Sequence, residues 1–240
     1  MAITKVDKTL LEATGTADAT TFLRGDGSWA SAAAGFSGVH HTTASSSTYT
    51  VPAGITKLLV FITGGGVSGG SGSGAYNGSG GGGATTVIAH VTVVPTDTIT
   101  IAIGAGASGS ASSADGTAGG DSTFTHASGS GTFDTITAPG GTAGVFGLSP
   151  ATSAPTAGTV GSSNDGISIL GGYQGSFGTG PAGFGGATFW GGGGMPATPS
   201  YQVSSAGTAY GSGGGGGSST TSYFASAAGA DGICFIMEFK

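Results

Sequence analysis

The sequence predicts an all-β protein: an antiparallel β-sandwich with glycine-rich, polyglycine II-like loop insertions and a short N-terminal arm. Three observations lead there. Several short segments alternate apolar and polar residues with period two, each bounded by Gly, Pro or Asp. Glycine, 54 of the 240 residues, is gathered into runs between those segments. Helix is disfavoured throughout, because each interior Gly costs ~1 kcal/mol relative to Ala.

The elements follow in chain order. Residues 1–35 form the arm, where Lys5, Asp7, Lys8, Glu12, Asp18, Arg24 and Asp26 concentrate the charge. Leu10 to Ala13 is long enough for one helical turn, which Gly15 ends. Phe22, Leu23 and Trp29 are the large apolar groups of the next stretch, with Asp26-Gly27 as a turn between them. Residues 30–37 read as a linker into a domain spanning 36–240. Within it, strands are expected at 48–51, 55–63, 84–94, 98–103, 121–125, 132–138 and 233–239. Alternation puts Ile99, Ile101 and Ile103 on one face of the fourth. In the last it puts Ile233, Phe235, Met237 and Phe239 on one face, with Cys234, Ile236 and Glu238 on the other. Cys234 reads as a small buried hydrophobe.

Glycine runs start at Gly64 and Gly78 and fill 191–194 and 213–217, and a glycine-rich insertion extends over 139–230. A flexible linker is one reading. Polyglycine II, extended threefold helices packed side by side, is the other, since backbones without Cβ atoms can approach closely. Three features favour order. The runs lack Lys, Arg and Glu, they are punctuated by Ala and aromatic residues, and a well-formed strand follows them. A structureless insertion of that length is foreign to a compact domain. Ordering each Gly costs roughly 1–2 kcal/mol of backbone entropy. Leu, Ile, Val and Phe make up less than a fifth of the chain, so its core is small. Association of several copies is therefore expected, burying Phe22, Leu23 and Trp29 between chains.

Composition excludes several classes. The net charge of −6 is too low for charge-driven disorder. Eight prolines and no sustained G-x-y register exclude collagen. Five Lys plus Arg make no basic patch, so no nucleic-acid partner is expected. The single cysteine makes no internal disulfide. The opening MAITKVDKTL lacks the apolar core of a signal peptide, and residues 58–62 are the longest strongly apolar run, so neither secretion nor membrane insertion is expected.

Chemistry is sparse. The four histidines, His40, His41, His90 and His126, lack metal-site spacing, so no metal is assigned. His40 and His41 point oppositely on a strand, and only three copies of one of them around a threefold axis would hold an ion. His90 reads as a half-buried sheet residue. Asp26, Asp115, Asp165 and Asp231 adjoin Gly and read as turn formers, while Asp97, Asp121 and Asp134 lie at turns or strand ends. No carboxylate pair or nucleophile stands out, and no Lys follows a glycine run as a phosphate loop requires, so neither enzyme nor cofactor is assigned. Arg24-Gly25-Asp26 reads as a turn. The aromatic residues of the glycine-rich half either bind a receptor or cap and separate the polyglycine layers; the candidate receptor contacts are Tyr173, Trp190, Tyr201, Tyr210 and Tyr223. Phe177 and Phe184 read instead as separators of polyglycine layers.

Two stretches carry a family resemblance. Ala17 to Ser31, ADATTFLRGDGSWAS, resembles a segment that recurs in bacteriophage tail-fibre proteins before a distal domain. Ser46 to Gly66, with its VPAG, together with Gly80 to Ala107, GGDSTF from Gly119 and GADGICFIMEF from Gly229, resembles the glycine-rich domain of phage tail fibres and adhesins. The resemblance implies a homotrimeric virion fibre, made in the host cytoplasm, that binds a host-surface glycan or outer-membrane protein through distal loops. Residues 1–20 are the candidate attachment to other virion proteins. Ile3, Leu10, Leu11, Phe22, Leu23 and Trp29 are the candidate attachment and oligomerisation residues. A capsid or tail decoration fibre and a surface-polysaccharide depolymerase are the alternatives.

Overall fold

The computed structural model describes the backbone of 21–23 and 29–31, and residues 35–72, 77–111, 114–143, 156–172, 182–197, 203–218 and 225–240. The chain divides into two units, Met1–Phe36 and Ser37–Lys240. In the first, β1 (Thr21–Leu23) and β2 (Trp29–Ser31) pair antiparallel, with Phe22 opposite Ala30 and Leu23 opposite Trp29. The turn expected at Asp26-Gly27 lies outside the described residues, as do Ile3, Leu10 and Leu11.

From Phe36, the last residue of the first unit, onward come β3 (Phe36–Thr42), β4 (Ser46–Thr50), β5 (Lys57–Thr63), β6 (Thr86–Thr92), β7 (Thr98–Ala102), β8 (Ser122–Ser128), β9 (Ile136–Ala138), β10 (Asp165–Ile169) and β11 (Ile233–Phe239). They make two sheets, in the orders β10-β6-β5-β11-β3 and β4-β7-β8-β9. The register given for their pairs is antiparallel. No helix occurs among the described residues, and the sheets pack as an all-β sandwich. Leu58, Val60 and Ile62 of β5, Val87, Ala89 and Val91 of β6, and Cys234 and Ile236 of β11 form one wall of the core. Tyr49, Ile99, Ile101, Phe124 and Ile136 form the other. Burial pushes the Cys234 thiol far above its usual pKa, so it is an inert packing group.

Three expectations change. Residues 30–37 are not wholly a linker: β2 reaches Ser31 and β3 starts at Phe36. Strand 132–138 shortens to β9, while 121–125 lengthens to β8. Asp165 opens β10 rather than forming a turn, and that strand pairs with β6 from within the long insertion. Just before it, Thr159 bridges Thr137 of β9, so 159–169 spans from one sheet to the other and closes one side of the sandwich.

The glycine runs continue the strands outward. Their backbone hydrogen bonds repeat every three residues. From the run after β5, Gly64, Val67 and Gly70 donate to Thr85, Gly82 and Ser79. The next residues in register, Gly65, Ser68 and Ser71, donate to Gly120, Thr117 and Ala114, and Gly66 and Gly69 donate to Ala230 and Ala227. One run therefore bonds three different neighbours in rotation, as a threefold extended helix must. Gly78, Gly81 and Ala84 repeat the pattern on Gly217, Gly214 and Gly211. This is the polyglycine II arrangement, and the flexible-linker reading fails for the described runs. A methyl group added at Gly66, Gly81 or Gly213 would overlap the carbonyl oxygen of Ser212, Val67 or Gly81. Small polar side chains fill the remaining gaps. The Ser68 hydroxyl accepts the Thr117 N–H at 2.8 Å, and the Ser122 hydroxyl accepts the Gly104 N–H at 2.8 Å while donating to the Thr63 carbonyl at 2.7 Å.

Asp97 locks the opposite end of the sandwich. Its carboxylate accepts N–H groups of Val94 at 3.1 Å, Ser130 at 3.0 Å and Gly131 at 3.3 Å, with His126 Nε2 at 3.7 Å. Burial alone would raise its pKa. The backbone donors and the nearby His126 outweigh burial and hold it below the usual carboxylate range.

Two predictions follow from this packing. Gly66→Ala and Gly213→Ala each lower stability by about 1–3 kcal/mol or more through overpacking, whereas Gly192→Ala, whose Cβ meets open space, is tolerated; thermal unfolding distinguishes them. Because the folded-state pKa of Asp97 is lowered, its contribution is complete above about pH 4 and is lost as pH falls through the folded value. Asp97→Asn should weaken the protein near neutral pH and flatten the acid limb of a stability–pH profile measured by denaturant melts.

Candidate functional site

The sandwich occupies one end of the glycine bundle, and the chain turns back at the other. The far end is marked by pairs between runs: Gly78 donates to Gly217, Gly183 to Gly78 and Ala197 to Gly216. The Ser218 hydroxyl donates to Asn77 Oδ1 at 2.6 Å, and that of Ser204 to the Ala225 carbonyl at 3.0 Å. Segments 73–76, 198–202 and 219–224 each join two run ends that lie here. Tyr173, Tyr201 and Tyr223 lie outside the described residues, as does Phe177. Their described neighbours in sequence are informative. Val203, which follows the Tyr201 segment, is 82 % exposed. Met195 and Phe184 are also strongly exposed. They flank the Gly185–Gly194 hydrogen bond between two adjacent runs, so an apolar stripe lies on the bundle surface. Phe184 is therefore no buried separator between layers.

Trp190 and Tyr210 sit at the near end, against the outer face of the five-stranded sheet. A tight turn carries Trp190: Thr188 and Gly191 exchange backbone hydrogen bonds at 2.8 and 3.2 Å. The Thr188 hydroxyl donates to the Tyr210 carbonyl at 2.8 Å, tying the two segments together. The Trp190 indole N–H donates to the Thr63 hydroxyl at 2.8 Å, and Thr63 in turn shares a hydrogen bond with Thr86. Phe61 lies among the rings of Phe189, Trp190 and Phe235, with centroids 6.0, 6.5 and 6.0 Å away. Trp190 stands edge-on to Tyr210 at 6.2 Å. Trp190 is thus a half-buried cap on the sheet, while Phe189 and Tyr210 expose more of their rings. Phe61 and Phe189 are not among the sequence's candidates: only their ring contacts with Trp190 and Phe235 bring them to this surface.

The remaining candidates are scattered. His40 packs against the Tyr49 ring at 5.2 Å, and His41 is exposed on the opposite face of β3. The Tyr49 hydroxyl donates to Glu238 at 2.8 Å; burial, followed by the Glu238 hydrogen bond and charge, pushes the phenol far above its usual pKa. His90 is exposed rather than half-buried, because its β6 position faces away from the core. Asp134 binds the Ser162 hydroxyl and the Ser163 N–H, each at 2.9 Å, and so organises a loop. No group of three His, Cys, Asp or Glu side chains that could hold a metal ion occurs among the described residues.

The fold defines a class: a sandwich whose strands are prolonged by an ordered bundle of glycine-rich threefold helices. The glycine-rich domain family model matches residues 42–237, and the chain belongs to that family. Comparison with curated proteins gave no match.

Trp190→Ala removes a half-buried ring and should lower stability by about 3 kcal/mol. Trp190→Phe, which keeps an aromatic ring but loses the indole N–H and part of the packed area while Thr63 keeps Thr86, should cost less, about 1–2 kcal/mol. Equal losses in urea titrations would contradict the capping role.

Proposed function

We propose that the chain is a virion fibre protein, a tail fibre or adhesin, that attaches a bacteriophage to its host through the loops at the far end of the glycine bundle. One observation carries this reading: separate run-connecting segments have their described flanks gathered at one end of a closely packed bundle. Recognition loops need a rigid support that tolerates sequence change at their tips. A bundle whose described runs are held to one another by backbone hydrogen bonds meets that need.

Under this reading Tyr201 and Tyr223 contact a host-surface glycan or outer-membrane protein, with Tyr173 in the segment that leads into the bundle. Trp190 and Tyr210 sit at the other end and are withdrawn from the receptor set. Residues 1–20 attach the fibre to other virion proteins, and the fibre is homo-oligomeric, a trimer by its resemblance to phage fibres.

Exchanging segments 198–202 and 219–224 for Gly-Ser sequences of equal length should abolish phage adsorption while incorporation into particles and thermal stability stay unchanged. Unaltered adsorption would sink the recognition role. Deleting residues 1–20 should remove the protein from purified particles; normal incorporation would overturn that attachment site.

A further inference from the structure

We propose that the outer face of the five-stranded sheet is a self-association surface that a second copy of this chain covers. The inference rests on the homo-oligomeric fibre reading and identifies the surface that fibre would use.

The argument starts from β11. Its smaller side chains, Cys234 and Ile236, point into the core, while Phe235 and Met237 point outward and are only half-buried. Strand register extends that pattern across the sheet. Ile167 lies opposite Ile88, Ile88 opposite Phe61, and Phe61 opposite Phe235. The adjacent row places Leu59 opposite Met237. Phe189, Trp190 and Tyr210 prolong this surface beyond Phe61. Ile167 is 60 % exposed and Phe189 46 %. A chain poor in large apolar residues thus spends several of them on an outward face.

Size, shape and charge select the occupant. Five strands ~4.8 Å apart and about six residues long at ~3.4 Å each span roughly 24 by 20 Å. With side-chain relief and the Phe189–Tyr210 extension, that approaches the ~800 Å² per partner of a standard protein interface. Small ligands favour concave sites with converging polar groups, whereas this surface is a sheet face. Its rows carry Lys57, His41, His90 and Asp165 as ionisable groups, with one fixed charge of each sign. Two copies therefore meet without net repulsion, and a strongly charged partner finds little complement. Interfaces between identical chains are more apolar than transient ones, as this face is.

The test measures the mass of the purified full-length chain by sedimentation. The wild type should be associated at micromolar concentration. Ile167→Lys combined with Phe189→Lys should reduce it to a single-chain mass with an unchanged circular-dichroism spectrum. Val203→Lys, at the far end of the bundle, should leave the association intact. In parallel, a photo-crosslinking residue at position 167 of the otherwise wild-type chain should capture a second copy. A single-chain wild type, or a double variant that stays associated, overturns the proposal. So does crosslinking within one chain to residues 1–35, which would make the arm the cover. Adsorption after exchange of the far-end segments is measured separately, so the recognition reading can stand or fall on its own.

Discussion

The whole molecule depends on backbone approaching backbone. In the glycine bundle each run lies so near its neighbours that a single added methyl would meet a carbonyl oxygen, at Gly66, Gly81 and Gly213 among others. Such proximity lets every third N–H reach the same neighbouring run, and it satisfies amides that no water could reach. It also explains the composition. Glycine is required at the closest approaches inside the bundle, Ala and Ser fit where a gap opens, Val67 is buried within it, and Phe184 and Met195 lie at its surface.

The sandwich supplies what the bundle lacks. A glycine ladder buries little apolar area, so its ordering entropy has to be offset elsewhere. The strands that lead into it do this: β5, β6 and β11 carry Leu58, Ile62, Val87 and Ile236 into one core and emerge already aligned for the bundle. Threefold helix and β-strand have similar rise per residue, so a run can prolong a strand without a change of direction. Asp97 secures the other end of the same sandwich, and burial inside it makes the Cys234 thiol unreactive.

The two ends of the bundle differ in kind. Near the sheet, Trp190 and Tyr210 are held by Thr63 and Thr188 and extend an apolar sheet face. Far from it, run ends meet through backbone ladders together with the Ser218–Asn77 and Ser204–Ala225 hydrogen bonds. Aromatic packing extends the sheet face at the first end and separate run ends gather at the second, which is why association is proposed for the first and recognition for the second.

Much of the fold was legible in the residues. Period-two alternation located β5, β6, β7 and β11, and runs without Lys, Arg or Glu pointed to ordered glycine layers. In contrast, β10 was hidden, since Ile167 and Ile169 stand among glycines and serines and form a strand only where β6 offers an edge. Alternation separated Cys234 and Ile236 from Phe235 and Met237, but no local rule says which face turns inward. The facing sheet decides that, and it selected the smaller residues. Nor could spacing divide the five aromatic candidates: Trp190 and Tyr210, 20 residues apart in sequence, meet because their segments are hydrogen-bonded through Thr188. The sequence by itself determined local geometry, where strands form and where glycine allows close approach, because those depend on each residue and its immediate neighbours. Which surfaces were buried, and which run ends came together, was decided only by tertiary structure, because both depend on what lies across the sheet or along the bundle.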